Sequence, residues 1–270
     1  MNRTSGLLAT LTLITAIGLT APVAAQGTVE GHVKLTGAPP PNAVIRMGAD
    51  PNCLQLHPGE RVAQETVLKA PDGGLANAFV YVSGAFPGAP GPTASAVIDQ
   101  RGCLYHPRVL GVRVGQTLEV KNSDATLHNI HSLTKKDNDF NTGQPRAGMV
   151  FKYQLKSEEV MLHVKCDVHP WMSGYLGVLT HPYFAVSEPT GAFKIAGVPA
   201  GKQSITVWHE AYGPITQTVD VKATGTTTVD FSYTGSEKPS AANGLPIEEL
   251  ALPAVTALEL LAPRPAPAAR

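Results

Sequence analysis

The chain is short of charge, of cysteine and of long apolar runs. Charged residues make up 16%, against about 25% in an ordinary soluble protein. Those present cancel, with 21 Lys+Arg against 21 Asp+Glu. A broadly basic surface that could neutralise phosphates is therefore missing, which argues against nucleic acid as a partner while leaving room for a small local basic patch. After the N-terminus no apolar run reaches the roughly 20 residues of a membrane-crossing helix, which excludes a multi-span membrane protein. No long amphipathic helical pattern appears before residue 245. Cysteine is limited to three in 270 residues. That number is odd, so in an oxidising compartment pairing leaves one thiol with another task.

What is abundant is glycine and proline, together about 18% of the chain against about 12% ordinarily. They cluster at 37–41, 71–74, 84–92 and 197–201. Between the clusters lie short alternating runs: Leu110, Val112 and Val114; Val160, Leu162 and Val164; Ile205 and Val207; Val219 and Val221; Val229, Phe231 and Tyr233. Short alternating strands between turn signals predict an all-β sandwich or barrel architecture. Residues 1–25 read as a secretory signal peptide, with Arg3, an uncharged apolar stretch from Leu7 to Leu19, and small residues before Gln26. An uncleaved anchor is the rival reading. Removal of the signal leaves no transmembrane segment and places the protein in the periplasm or outside the cell. The Pro/Ala-rich tail, 236–270, reads as largely disordered, with one short helix near 247–252.

Two kinds of β segment can be separated. The stretch from Pro189 to Gly201, followed by Ile205 to His209, resembles the carboxypeptidase regulatory-like domain, a small transthyretin-like β-sandwich. The opening Gly27-x-Val29-x-Gly31-x-Val33 and the run from Ala76 to Val82 resemble its first half. The resemblance implies segments 26–93 and 182–235 as parts of one split sandwich, with 94–181 inserted; two sandwiches in series is the alternative. His209-Glu210 lacks the second histidine of a zinc-protease motif and reads as structural.

Segment 94–181 carries the chemistry. Cys166, His169 and Met172 stand in Cys-x2-His-x2-Met spacing, and His128-Asn129 and His131 lie upstream. Two imidazoles, a thiolate and a thioether suit copper, with the thioether as a weak axial ligand. Alternate residues of a strand share a face. Cys166 is in phase with Val160, Leu162 and Val164 and so faces the core, while His163 is out of phase and is expected to face solvent. His128 is in phase with Ile130, which selects it over His131.

These residues resemble the signature of the blue copper proteins, or cupredoxins, and the compact ligand loop is most similar to that of amicyanin. The resemblance implies a Greek-key β-sandwich over 94–181 holding one type 1 copper ion. His128, Cys166 and His169 would be equatorial ligands, Met172 axial, and Asn129 would support the ligand loops by hydrogen bonding. It implies single-electron transfer rather than enzymatic catalysis, with a periplasmic cytochrome or oxidoreductase as partner. The ring edge of His169 is the expected electron exit, and Pro170 with Trp171 forms either a docking patch or core packing. Three alternatives stand beside this reading: copper storage or delivery or a structural binding module that keeps such a site without carrying electrons, a copper enzyme with extra histidine clusters, and a zinc site that leaves Met172 unexplained. With Cys166 taken as thiolate, Cys53 and Cys103 pair as a disulfide, or they form a second metal site with His57 and His106.

Overall fold

The computed structural model describes residues 25–92 and 94–238. The proposed signal peptide, the short tail helix and almost all of the 236–270 tail lie outside the described residues. The strands are β1 (Gln26–Leu35), β2 (Phe79–Ser83), β3 (Ala96–Arg101), β4 (Leu104–His106), β5 (Val109–Arg113) and β6 (Thr117–Asn122). Next come β7 (His128–Ser132), β8 (Asn141–Gln144), β9 (Val150–Gln154), β10 (Glu159–Lys165) and β11 (Ser173–Leu179). The chain finishes with β12 (Phe184–Val186), β13 (Ala192–Pro199), β14 (Gly201–His209), β15 (Gly213–Val221), β16 (Thr226–Thr228) and β17 (Phe231–Tyr233). The one α-helix among the described residues, α1 (Pro51–Gln55), is a single short turn. No helix among them is long and apolar enough to cross a membrane.

The protein is all-β. An inner sandwich packs the sheet β5-β11-β10-β7-β8 against β4-β3-β6-β9, with Ile98, Leu118, Val120, Ile130, Leu162, Val164 and Leu176 in its core. In the second pair of sheets, β1 lies between β13 and β16 and also pairs with β17, facing β12-β2-β14-β15. Their shared core includes Val29, Val33, Val80, Val82, Ile205, Val207 and Phe231. β1 and β2 thus find their partners beyond residue 183, on the far side of the inner sandwich. Alternation explains these strands directly: Val29, Val33 and Leu35 of β1 are buried, while His32 and Lys34 between them are exposed.

Segment 26–93 is not β throughout. Between β1 and β2, residues 42–65 form a strap that carries a short 3-10 turn, α1 and an isolated bridge between Val44 and Ala63. Ile45, Met47 and Cys53 of this strap belong to the core of the inner sandwich. A disulfide joins Cys53 of α1 to Cys103 between β3 and β4, with Cα atoms 5.7 Å apart.

The two sandwiches share an apolar seam of Phe79, Val109, Met161, Leu179 and Trp208. Gly111 of β5 and Gly177 of β11 make it possible, because a Cβ at either would collide with the ring of Phe184 or Phe79. The seam also overturns two expectations about β10. His163 is not turned to solvent; its Nε2 lies 2.7 Å from Ser173 Oγ and its ring stacks on Tyr175, which meets Trp208. The outer face of the sheet is covered by the second sandwich. Burial, then the Arg108 and Lys165 charges, push His163 down to about 4. Val160 packs on the seam and not in the inner core, because a register shift between Glu159 and Leu162, with positive φ at Met161, resets the alternation.

A buried ion pair crosses the same seam, with Arg108 Nη2 donating to Glu210 Oε2 at 2.8 Å. Both side chains are at least nine-tenths covered. Removing one partner of such a pair leaves an uncompensated buried charge. Arg108→Ala should cost about 3–5 kcal/mol in denaturant unfolding, while replacing both residues with apolar ones of similar volume should cost much less.

Candidate metal centre

The centre lies at one end of the inner sandwich, where two loops meet. Asn122 closes β6, and its side-chain amide donates to the carbonyls of Thr126 at 2.9 Å and Gln144 at 2.7 Å. This fixes the turn that delivers His128 at the start of β7. The second loop leaves β10 at Cys166. The Cys166 N–H donates to the Met172 carbonyl at 3.1 Å, and the Met172 N–H donates to the His169 carbonyl at 2.9 Å. Inside that turn the His169 N–H donates to Cys166 Sγ at 3.3 Å. Asn129 ties the loops together: its Oδ1 accepts from the Asp167 N–H at 3.0 Å.

His128, Cys166 and His169 converge. One ligand atom from each lies within 4.8 Å of the others. The two imidazole Nδ1 atoms are 3.1 Å apart, and His169 Nδ1 is 3.8 Å from Cys166 Sγ. All three residues are almost wholly shielded from solvent, and Met172 is fully buried in the same core. His131 turns away, with its Nδ1 3.0 Å from Asp167 Oδ2. Parity accounts for this split between His128 and His131.

Each converging imidazole is held from behind by a carboxylate. His128 Nε2 is 2.8 Å from Asp124 Oδ2, and His169 Nε2 is 2.9 Å from Asp50 Oδ2. An ionised carboxylate only accepts, so each Nε2 carries a hydrogen, and in the neutral ring each Nδ1 then presents its lone pair inward. Asp50 is the N-cap of α1, and Pro51 follows it at the first helical position. Asp124 follows an Asn122 turn in which the Asp124 N–H donates to Asn122 Oδ1 at 2.9 Å. Sequence reasoning missed both carboxylates. The cap signal at Asp50 marks a helix start, but nothing local links either aspartate to a histidine.

The electrostatics follow from this packing. Burial pushes the Cys166 thiol up, but hydrogen bonds with His128, His169 and the His169 and Val168 amides outweigh it and bring the thiol down to about 6. Burial pushes His128 down, and its contacts with Asp124 and Cys166 more than reverse the shift. His169 behaves alike, with Cys166 and Asp50 raising it against burial. The site therefore favours a thiolate among imidazoles that are held in place.

Two expectations change here. The ring edge of His169 is not at the surface: the residue is 2% exposed, because the strap places Asp50 and Cys53 over it. Trp171 is half-buried, and its Nε1 donates to the Cys103 carbonyl at 3.0 Å while its ring lies 5.0 Å from that of His169. It packs beneath the strap, and Pro170 remains exposed. The second metal site with His57 and His106 does not form. Cys53 and Cys103 are bonded to each other, His57 Nε2 meets the Gly102 carbonyl and His106 Nε2 meets the Arg101 carbonyl.

No family model and no curated protein matches the chain. Among solved structures, the chain is similar to a purple cupredoxin from Nitrosopumilus maritimus at 26% identity. That likeness has a TM-score of 0.28 and covers 31% of this chain and 99% of that one. A variant of amicyanin in its Cu(I) form matches at 20% identity and TM-score 0.28, covering 37% of this chain and 97% of the other. A Cu-containing nitrite reductase from Thermus scotoductus matches at 19% identity and TM-score 0.28, over 35% of this chain and 24% of that one.

The lowered Cys166 pKa has a measurable sign. A thiol whose folded pKa is depressed adds stability that is fully present above its unfolded value of 9.0 and is lost as pH falls through about 6. In metal-free protein the ultraviolet thiolate absorbance should titrate with a midpoint near the folded value. In His128→Ala the midpoint should move up toward that of a free cysteine.

Proposed function

We propose that the chain is an exported copper protein that carries single electrons at a type 1 site. The observation that carries the reading is the buried convergence of two imidazole Nδ1 atoms and the Cys166 sulfur. Sulfur donors suit Cu(I), imidazoles tolerate Cu(II), and a set between both preferences suits an ion that changes oxidation state in place. His128, Cys166 and His169 would be the equatorial ligands and Met172 the axial one. Copper bound there would supply one-electron cycling.

The remaining work falls to the chain. Asn129 pins the Cys166 loop to the His128 strand. The strap and the inner core exclude water from the three converging groups. Because His169 is covered, the half-buried Trp171 ring against it is the aromatic group on the way to the surface. A periplasmic redox protein, cytochrome or oxidoreductase, is the proposed partner. The Cys53–Cys103 disulfide supports an oxidising compartment and therefore export. The second sandwich is read as an accessory regulatory-like module.

The covered His169 also favours a second reading, in which the site holds copper for storage or delivery. Fast reversible reduction would support the carrier. Transfer of copper to a metal-free acceptor without redox cycling would support storage or delivery. An enzymatic reading needs a further metal. The other metal-compatible groupings among the described residues, Asp50–Cys53–His169 and Cys103–Asp124–His128, have their sulfurs in the disulfide.

Copper-loaded protein should bind one ion per chain and show an intense visible thiolate-to-copper band with a matching EPR spectrum. Cys166→Ser should abolish the band. A variant that kept it would overturn the assignment.

A further inference from the structure

Resting on the copper reading above, we propose that Asp50 and Asp124 are a pair of positioning residues. Each holds one ligand imidazole by its Nε2, so that both Nδ1 atoms face the Cys166 sulfur, and each adds a negative charge behind a ligand. The two arrangements are built alike although they come from distant parts of the chain. Asp124 Oδ2 meets His128 Nε2 at 2.8 Å and also accepts from the Cys103 N–H at 2.8 Å, while Oδ1 accepts from the Gly102 N–H at 2.9 Å. Asp50 Oδ2 meets His169 Nε2 at 2.9 Å and accepts from the Thr126 hydroxyl at 2.9 Å. Its Oδ1 accepts from the Asn52 N–H at 2.8 Å and the Cys53 N–H at 3.4 Å. Each carboxylate is thus anchored to the backbone of one half of the Cys53–Cys103 disulfide. The disulfide joins the two backbone segments on which the aspartates are hydrogen-bonded.

Two consequences follow from elementary chemistry. A carboxylate that accepts from Nε2–H fixes both the tautomer and the ring orientation of a metal-ligating histidine. Two anionic groups behind the ligands also favour the more positively charged oxidation state of an ion in front of them, and so lower its reduction potential. The imidazole contacts are shielded: the Asp124 and Asp50 side chains are 3% and 17% exposed, and their histidine partners 0% and 2%.

The test uses the mature, disulfide-intact protein and four variants, Asp50→Ala, Asp50→Asn, Asp124→Ala and Asp124→Asn. In metal-free parent protein, long-range proton–nitrogen NMR should find the His128 and His169 hydrogens on Nε2. Each Ala variant should lose that signal at its own histidine and bind Cu(II) about 10–100-fold more weakly. The Asn variants keep one acceptor oxygen for the Nε2–H but give up the acceptor that meets the backbone N–H groups, so circular dichroism checks that each keeps the parent fold. They should retain the visible band but show a reduction potential raised above the parent's, which a purely structural role would not produce. Ala variants that bind Cu(II) within twofold of the parent, or Asn variants with an unchanged potential, would overturn the proposal. So would protons on Nδ1 of both histidines. If the parent failed to bind Cu(II), the copper reading would fall, and the NMR result would still decide whether the carboxylates hold the imidazoles.

Discussion

The covalent link between Cys53 and Cys103 is the constraint on which the cluster of His128, Cys166 and His169 depends. The strap it anchors has no sheet of its own, and the only α-helix in it is one turn long. Such a segment has little intrinsic reason to lie where it does. The bond closes a sequence separation of 50 residues, and the chain-entropy model assigns such a loop a stabilisation of about 4 kcal/mol. With the strap held, Ile45 and Met47 enter the inner core, Gln64 Nε2 donates to the Trp171 carbonyl at 3.0 Å and Asp50 reaches His169. Without it, the ligand loop would face water.

That arrangement also explains how so much ionisable chemistry is tolerated in an apolar setting. Two aspartates, two histidines and a cysteine meet at the end of a β-sandwich. An isolated charge there would carry a large desolvation cost. Each group instead faces a partner of complementary character, and the carboxylates spend their remaining acceptor capacity on backbone N–H groups and the Thr126 hydroxyl. The carboxylates and the two Nε2–H groups are satisfied as a unit, so the loss of one leaves its partner with the full cost of burial.

Much of this was legible from local pattern. Alternation separated His128 from His131, because a strand puts adjacent residues on opposite faces. The same rule placed Cys166 with Leu162 and Val164, and the Gly/Pro clusters marked the turns of an all-β chain. What escaped was non-local. Asp50 and Asp124 look like an ordinary helix cap and an ordinary turn residue, and their meaning comes from histidines that other segments bring to them. His163 was expected in water because parity identifies the outer face of a sheet but not what lies on it. The covering of His169 was invisible for the same reason: a strap without periodicity leaves no pattern to read. Val160 failed for a local reason, since one residue of bulge inverts every side chain before it.

The path of the chain through the two sandwiches ties the fate of one to the other. β1 pairs with β13, β16 and β17, and β2 pairs with β12 and β14. The first strands made are completed only by the last. Closing so long a loop directly costs entropy and delays non-local pairing. A folded inner sandwich shortens the task, because it returns the chain at Phe184 beside Tyr81, where it departed. The inner unit therefore acts as the clasp that lets the outer one close. Until it is complete, β1 and β2 are open strand edges, the kind of surface on which chains pair with one another and aggregate. Damage at the end that carries His128, Cys166 and His169 would then show itself first as insolubility of the whole chain.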